Sequence, residues 1–213
     1  GHGYADRGGM LHLFAYDIPP QTDTTAAGRQ RLLNSSISSA DLTAWLNGVD
    51  AGEFVLILDA CHSGAAEEAE FKPGPMGDRG LGQLAYDKGM RILAASQAQD
   101  ATIESGVIGH GVLTYALVHE GLELGEGDVS GSGSINLTQW LAYGVSRVPS
   151  LYWKVRTGHV NGKEGPLSTL KVSVELEQDS KQADPNAQHY PALFDFNKHR
   201  RAEPLLQYKK QFR

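Results

Sequence analysis

Residues 54–58, Phe-Val-Leu-Ile-Leu, form an unbroken apolar run that stops abruptly at Asp59-Ala60-Cys61-His62-Ser63-Gly64. A run of this length, rich in β-branched and aliphatic side chains, reads as a strand buried on both faces, the centre of a parallel sheet. Open α/β sheets collect ligands and chemistry at the carboxyl ends of their strands, so the polar cluster that follows is the first place to look for function. Cys61 is the only cysteine, which excludes an internal disulfide and a CxxC zinc site.

A catalytic cysteine needs a base to form the thiolate and an acid to protonate the leaving amine, and one histidine can serve as both. Of eight histidines, His2 stands between two glycines that let the backbone approach a ligand closely. His62 adjoins Cys61 and points to the opposite side in an extended segment. His110 sits at a helix start, and His12, His119, His159, His189 and His199 have ordinary surroundings. The pair that fits is His2 with Cys61. The backbone N–H groups of Gly3 and Cys61 can form an oxyanion hole where the two loops meet. Asp59 shares the side of Cys61 and suits a pocket for an Arg or Lys side chain, with a turn cap as its plain structural alternative. A zinc site from His2, Cys61 and His62 is the weaker reading, because its ligands are adjacent and its thiol is single.

The remaining chain alternates strands and helices, the pattern of an α/β domain with a mostly parallel sheet. Residues 1–9 read as a glycine-rich loop, 10–16 as a short strand and 17–36 as mostly loop. Ser38 or Ser39 opens a helix with Leu42, Trp45 and Leu46 along one face. Residues 65–89 carry an acidic run and then Gly and Pro without apolar period, and read as an exposed, mobile loop. Residues 90–95 are a second buried strand, 111–122 an amphipathic helix, and 137–148 a helix stopped by Pro149. Residues 167–176 alternate like a strand, and 191–196 form a short closing strand before a basic tail, 197–213.

With 213 residues, 40% of them hydrophobic, the chain can bury a sizeable core. The net charge of −6, with basic residues gathered only in the tail, argues against a nucleic-acid partner. No apolar run is long enough to span a membrane, and no signal peptide opens the chain. A single thiol points to a reducing compartment, the cytoplasm.

The stretch Asp59-Ala60-Cys61-His62-Ser63-Gly64 after Val-Leu-Ile-Leu, with Gly1-His2-Gly3 upstream, resembles the caspase-like cysteine proteases. It is most similar to the metacaspases and their bacterial relatives, the orthocaspases of the peptidase C14 family, whose motif is Asp-x-Cys-His-Ser-Gly. Caspases carry Gln-Ala-Cys-Arg-Gly there, with a histidine roughly 50 residues upstream, close to the separation of His2 from Cys61. Residues 91–97 and 110–117 resemble the strand and helix that open the family's smaller subunit, and 191–196 its closing strand.

The resemblance implies a three-layer sandwich with a mostly parallel central sheet flanked by helices. It implies a core over residues 1–150 with an intersubunit-type loop at 65–89, an insertion at 151–189, and a closing strand at 190–196. The family's first strands have no counterpart here, so an N-terminal segment or a second chain is expected to complete the sheet. By resemblance His2 is the catalytic histidine, Cys61 the nucleophile, Gly3 an oxyanion donor and Asp59 the floor of the S1 pocket; Ser96 and Gln97 line the substrate groove. The implied activity is a thiol endopeptidase cleaving after Arg or Lys, with self-processing after Arg79, Lys72 or Lys88. The alternative is a catalytically silent module that scaffolds an assembly. A third option is a Cys–His hydrolase acting on esters or small amides. No cofactor is required. Many metacaspases use calcium, and Asp17 and Glu68 lie in comparable loops, although no EF-hand pattern is present.

Overall fold

A computed structural model describes residues 2–6, 8–16, 25–60, 79–95, 111–156, 191–197 and 205–207. These residues form a mixed α/β structure with three small sheets. Strands β1 (His2–Ala5), β2 (Leu11–Phe14) and β3 (Ile37–Ser38) make an antiparallel sheet in that order. The second sheet holds β4 (Val55–Leu58), β5 (Arg91–Ala94) and β7 (Ala192–Asp195). The third pairs β6 (Ser134–Asn136) with β8 (Leu205–Gln207).

The apolar run at 54–58 becomes strand β4, paired with β5. β5 is central and wholly buried, whereas β4 lies at an edge of the described sheet, half-buried except at Leu58. β4 runs parallel to β5, and β7 runs antiparallel on the other side, so the described strands of this sheet include both senses. An unbroken apolar run reports two covered faces, not a central position, and both faces of β4 are covered. Val55 and Ile57 join Leu93 under helices α4 (Val112–Thr114) and α5 (Leu137–Arg156) and the π-helical turns Tyr115–Glu123 that continue α4. Leu56 joins Phe54, Ile92 and Phe194 under α2 (Ser39–Asn47) and α3 (Arg79–Lys88). Helices therefore sandwich the sheet, as the alternating side chains of a strand require.

A buried ion network fixes the register at the amino end of β4 and β5. Arg91 is only 3% exposed, so its charge needs close partners. It donates to Glu53 just before β4 at 2.6 Å and to Asp195 on β7 at 3.1 Å. Asn197 donates its side-chain amide to both Glu53 oxygens, closing the network across three strands.

Several expected loops are ordered elements. Residues 2–5 of the expected glycine-rich loop form β1, because Tyr4 and Ala5 are buried and the segment pairs residue for residue with β2. Asp6 closes the hairpin by accepting the Met10 amide at 2.8 Å. Within 17–36, Thr25 accepts the Gly28 amide and caps helix α1 (Ala26–Asn34). Only Gly28 and Leu32 of α1 are buried, too few to show a period in the sequence. The second half of the expected loop at 65–89 is α3, where Leu81, Leu84 and Ala85 recur at helical spacing and are buried despite Gly80 and Gly82. Arg79 thus opens a helix and Lys88 ends it, while residues 61–78 lie outside the described residues.

α2 begins as expected, with a reciprocal cap between Ser38 and Asp41, but Trp45 is 58% exposed and does not share the buried face. Pro149 does not stop α5, which runs through it to Arg156. Leu137, Leu141, Gly144, Val148, Leu151 and Val155 make a continuous buried stripe at alternating spacings of four and three, and Pro149 lies off it. α5 thus runs on into the expected insertion, with Leu151 and Val155 in the core, and residues 157–189, with the alternating stretch at 167–176, lie outside the described residues. In the basic tail, residues 205–207 form β8 because Leu206 pairs with the fully buried Ile135.

Candidate active site

β4 ends at Leu58, and the chain turns polar at Asp59. Asp59 is half-buried, and its Oδ2 accepts the Thr114 amide at 3.0 Å and also the Thr114 hydroxyl. The carboxylate thereby sits at the amino end of the α4 turn, where exposed amides and the helix dipole favour negative charge. Gly111 makes this approach possible, since a Cβ there would lie 2.3 Å from Asp59 Oδ2. The carboxyl end of β4 is thus clamped to the helix that covers the sheet.

The small sheet meets the same end of β4. Leu11 and Leu13 of β2 pack with Leu58, Leu56 and Ala94. β1 lies beside β2 with His2 opposite Phe14 and Gly3 opposite Leu13. Gly3 is buried and lies opposite one of the residues packed against β4. Residue 2 is thus the first of β1, not part of a free loop, and the sheet that bears it is held against the strand that leads into Cys61. Cys61 itself, with His62, Ser96, Gln97, Lys72, Asp17 and Glu68, lies outside the described residues.

Sequence reasoning missed three contributors to this region. Thr114 and Gly111 bear no motif of their own; only their contact with Asp59 marks them. His12 looked ordinary but is buried on β2, its Nδ1 2.8 Å from Ser36 Oγ and its Nε2 3.6 Å from Asp6 Oδ2. Its ring lies 6.5 Å from that of Tyr4, so it braces the hairpin from Asp6 to the loop before β3. The alternation of β2 places His12 opposite Tyr4, on the side away from Leu11 and Leu13.

Among the described residues, no group of three or more His, Cys, Asp or Glu side chains is placed to hold a metal ion. Among them, too, no helix is long and apolar enough to cross a membrane. No protein-family model matches this chain, and neither a curated protein nor a solved structure matches it.

Proposed function

We propose that the chain is the catalytic core of a caspase-like cysteine endopeptidase, with Cys61 as nucleophile and His2 as its acid–base partner. The observation that carries the reading is the packing of β2 against Leu56, Leu58 and Ala94, which holds the sheet bearing His2 and Gly3 against the strand that leads into Asp59. In the proposed reaction His2 takes the Cys61 thiol proton and the thiolate adds to the scissile carbonyl carbon. The amides of Gly3 and Cys61 face the oxyanion. His2 then gives its proton to the departing amine, and water hydrolyses the thioester.

Asp59, fixed by Thr114, is the proposed acceptor for an Arg or Lys side chain of the substrate, with Ser96 and Gln97 along the groove. Of the self-processing candidates Arg79, Lys72 and Lys88, the described residues include Arg79 and Lys88. The Arg79–Gly80 bond lies in the first turn of α3, and a protease needs its substrate extended, so cleavage there requires that turn to unwind. Lys88 is held at the other end of α3, donating to the Val49 carbonyl at 2.6 Å.

The second reading, a silent scaffold of the same fold, is favoured by the Asp59–Thr114 contact, which serves as a strand-to-helix clamp whether or not a substrate binds. An Arg-directed, thiol-reactive peptide probe separates the two. Labelling at Cys61 in the wild type, lost in Cys61→Ala and greatly slowed in His2→Ala, is the expected result. A folded wild type that neither takes the probe nor cleaves Arg or Lys peptides overturns the enzyme and leaves the scaffold.

A further inference from the structure

The turn between the π-helical segment and α5 has a spacing that a search for acidic residues passes over. Asp128, Ser130, Ser132 and Gly133 stand at positions 1, 3, 5 and 6 of a twelve-residue stretch that ends at Gln139. In a helix–loop–helix calcium site those positions hold three ligating side chains and the glycine of the sharp turn. Position 7 gives a backbone carbonyl, position 9 often a water-mediated ligand, and position 12 a bidentate Glu. The local structure follows the same plan. Gly131 and Gly133 have φ of +69° and +83°, as two successive sharp bends demand. Ile135, at position 8, is fully buried and paired with Leu206, and α5 starts two residues later.

The oxygen atoms that would be ligands converge. Ser130 Oγ lies 2.8 Å and Ser132 Oγ 3.4 Å from Asp128 Oδ1. Ser132 Oγ is also 3.0 Å from the Ser134 carbonyl, the backbone ligand of position 7. Gly133 donates its amide to Asp128 Oδ2 at 2.7 Å. Oxygens from positions 1, 3, 5 and 7 are therefore linked in one series of close contacts, with the Ser130 proton and the single, shared Ser132 proton between them. Asp128 is 9% exposed, and its charge is met by these donors.

We propose that residues 128–139 are a calcium-type loop in which the chain's own hydroxyl protons take the cation's place. The charge count supports this. Acidic side chains at positions 1, 3, 5 and 12 give such loops their affinity, and here Asp128 alone is charged, with Ser130, Ser132 and Gln139 neutral. The loop leads into β6 and the start of α5, and its spacing is one triple substitution from that of a charged calcium loop.

The test compares wild type with Ser130→Asp/Ser132→Asp/Gln139→Glu during titration with calcium chloride. The wild-type unfolding midpoint should not move. The variant's should rise by about 5–10 °C once calcium reaches a hundredfold excess over its Kd. Terbium luminescence sensitised by Trp140, next to Gln139, should appear in the variant alone. Should three added carboxylates prevent folding, Ser132→Asp/Gln139→Glu with terbium gives the same readout at lower repulsion. Asp128→Asn in the wild-type background should lower the midpoint equally with and without calcium, because its donors lose a charged acceptor. Calcium stabilisation of the wild type would overturn the proposal by making this a working cation site. A folded variant blind to terbium and calcium, or an Asp128→Asn midpoint equal to wild type, would overturn it by showing that the loop lacks the inferred geometry.

Discussion

Asp59 is the residue where stability and the proposed chemistry meet. Its Oδ2 takes both a backbone amide and a hydroxyl from Thr114, and hydrogen bonds to a charged acceptor contribute about 1.5–3 kcal/mol each when one partner is removed. Thr114→Val keeps the shape and removes the hydroxyl donor, so it should cost about 1.5–3 kcal/mol in urea unfolding, whereas Thr114→Ser should cost less than about 1 kcal/mol. Gly111→Ala acts from the other side. Its new Cβ meets the carboxylate at 2.3 Å and must displace it, an overpacking cost of about 1–3 kcal/mol. If Asp59 also receives a basic substrate side chain, Thr114→Val should raise KM for Arg peptides several-fold with little change in kcat, and Thr114→Ser should restore it. A wild-type KM in a folded Thr114→Val variant would leave the clamp purely structural.

At the scale of elements, α5 shows packing overriding local propensity. A proline inside a helix removes one backbone bond and costs about 3 kcal/mol. Six buried residues on one stripe, three of them at or beyond position 148, hold α5 together across it. Gly144 brings its backbone close to the π-helical segment, where a Cβ would meet Leu117 Cδ2 at 2.6 Å. Arg147 adds a paired bond to Glu120, with both distances 2.6 Å. Glu120 in turn holds the guanidinium charge in place, raising the Arg147 pKa still further, while burial and the hydrogen bond to Glu126 push the Tyr143 hydroxyl well above its ordinary range. Pro149→Ala returns a donor for the Val145 carbonyl and should stabilise the protein by about 1–2 kcal/mol, less than the full proline cost because the unfolded chain also gains freedom. A lower urea midpoint would mean that Pro149 shapes a needed bend. The same competition decides what was legible in the sequence. β4, β5, β7 and α2 announce themselves through dense apolar runs or a clear cap, and Asp59 through the polar break after β4. α1 and α3 were hidden by two or three buried residues apiece, β1 by its glycines, and the end of α5 by a proline that tertiary contacts tolerate. Thr114 and Gly111 could not be read as site residues at all, because their role exists only through a contact 50 or so residues distant in the chain.

At the scale of the whole molecule, the sheet poses a question that β4 itself answers. The bonds from Arg91 N to the Phe54 carbonyl and from Ala95 N to the Leu58 carbonyl set the parallel pattern. In that pattern residues 54, 56 and 58 bond to β5, and the amides of Val55 and Ile57 point to the opposite edge. Natural edge strands are often blunted by charge or proline, and neither stands within Val55-Leu-Ile-Leu58. β4 has both faces apolar and stands at an edge of the described sheet, so its outward amides need partners. We therefore propose that this edge of β4 is covered in the intact protein. Amide exchange measured residue by residue on the intact protein tests this. With the edge covered, Val55 and Ile57 should be protected as strongly as Leu56 and Leu58, near the limit set by global unfolding. Rapid exchange at Val55 and Ile57 alone, with Leu56 and Leu58 slow, would show the edge open and leave β4 the true border of the sheet. Protection that appears only above a threshold protein concentration would assign the covering strand to a second copy.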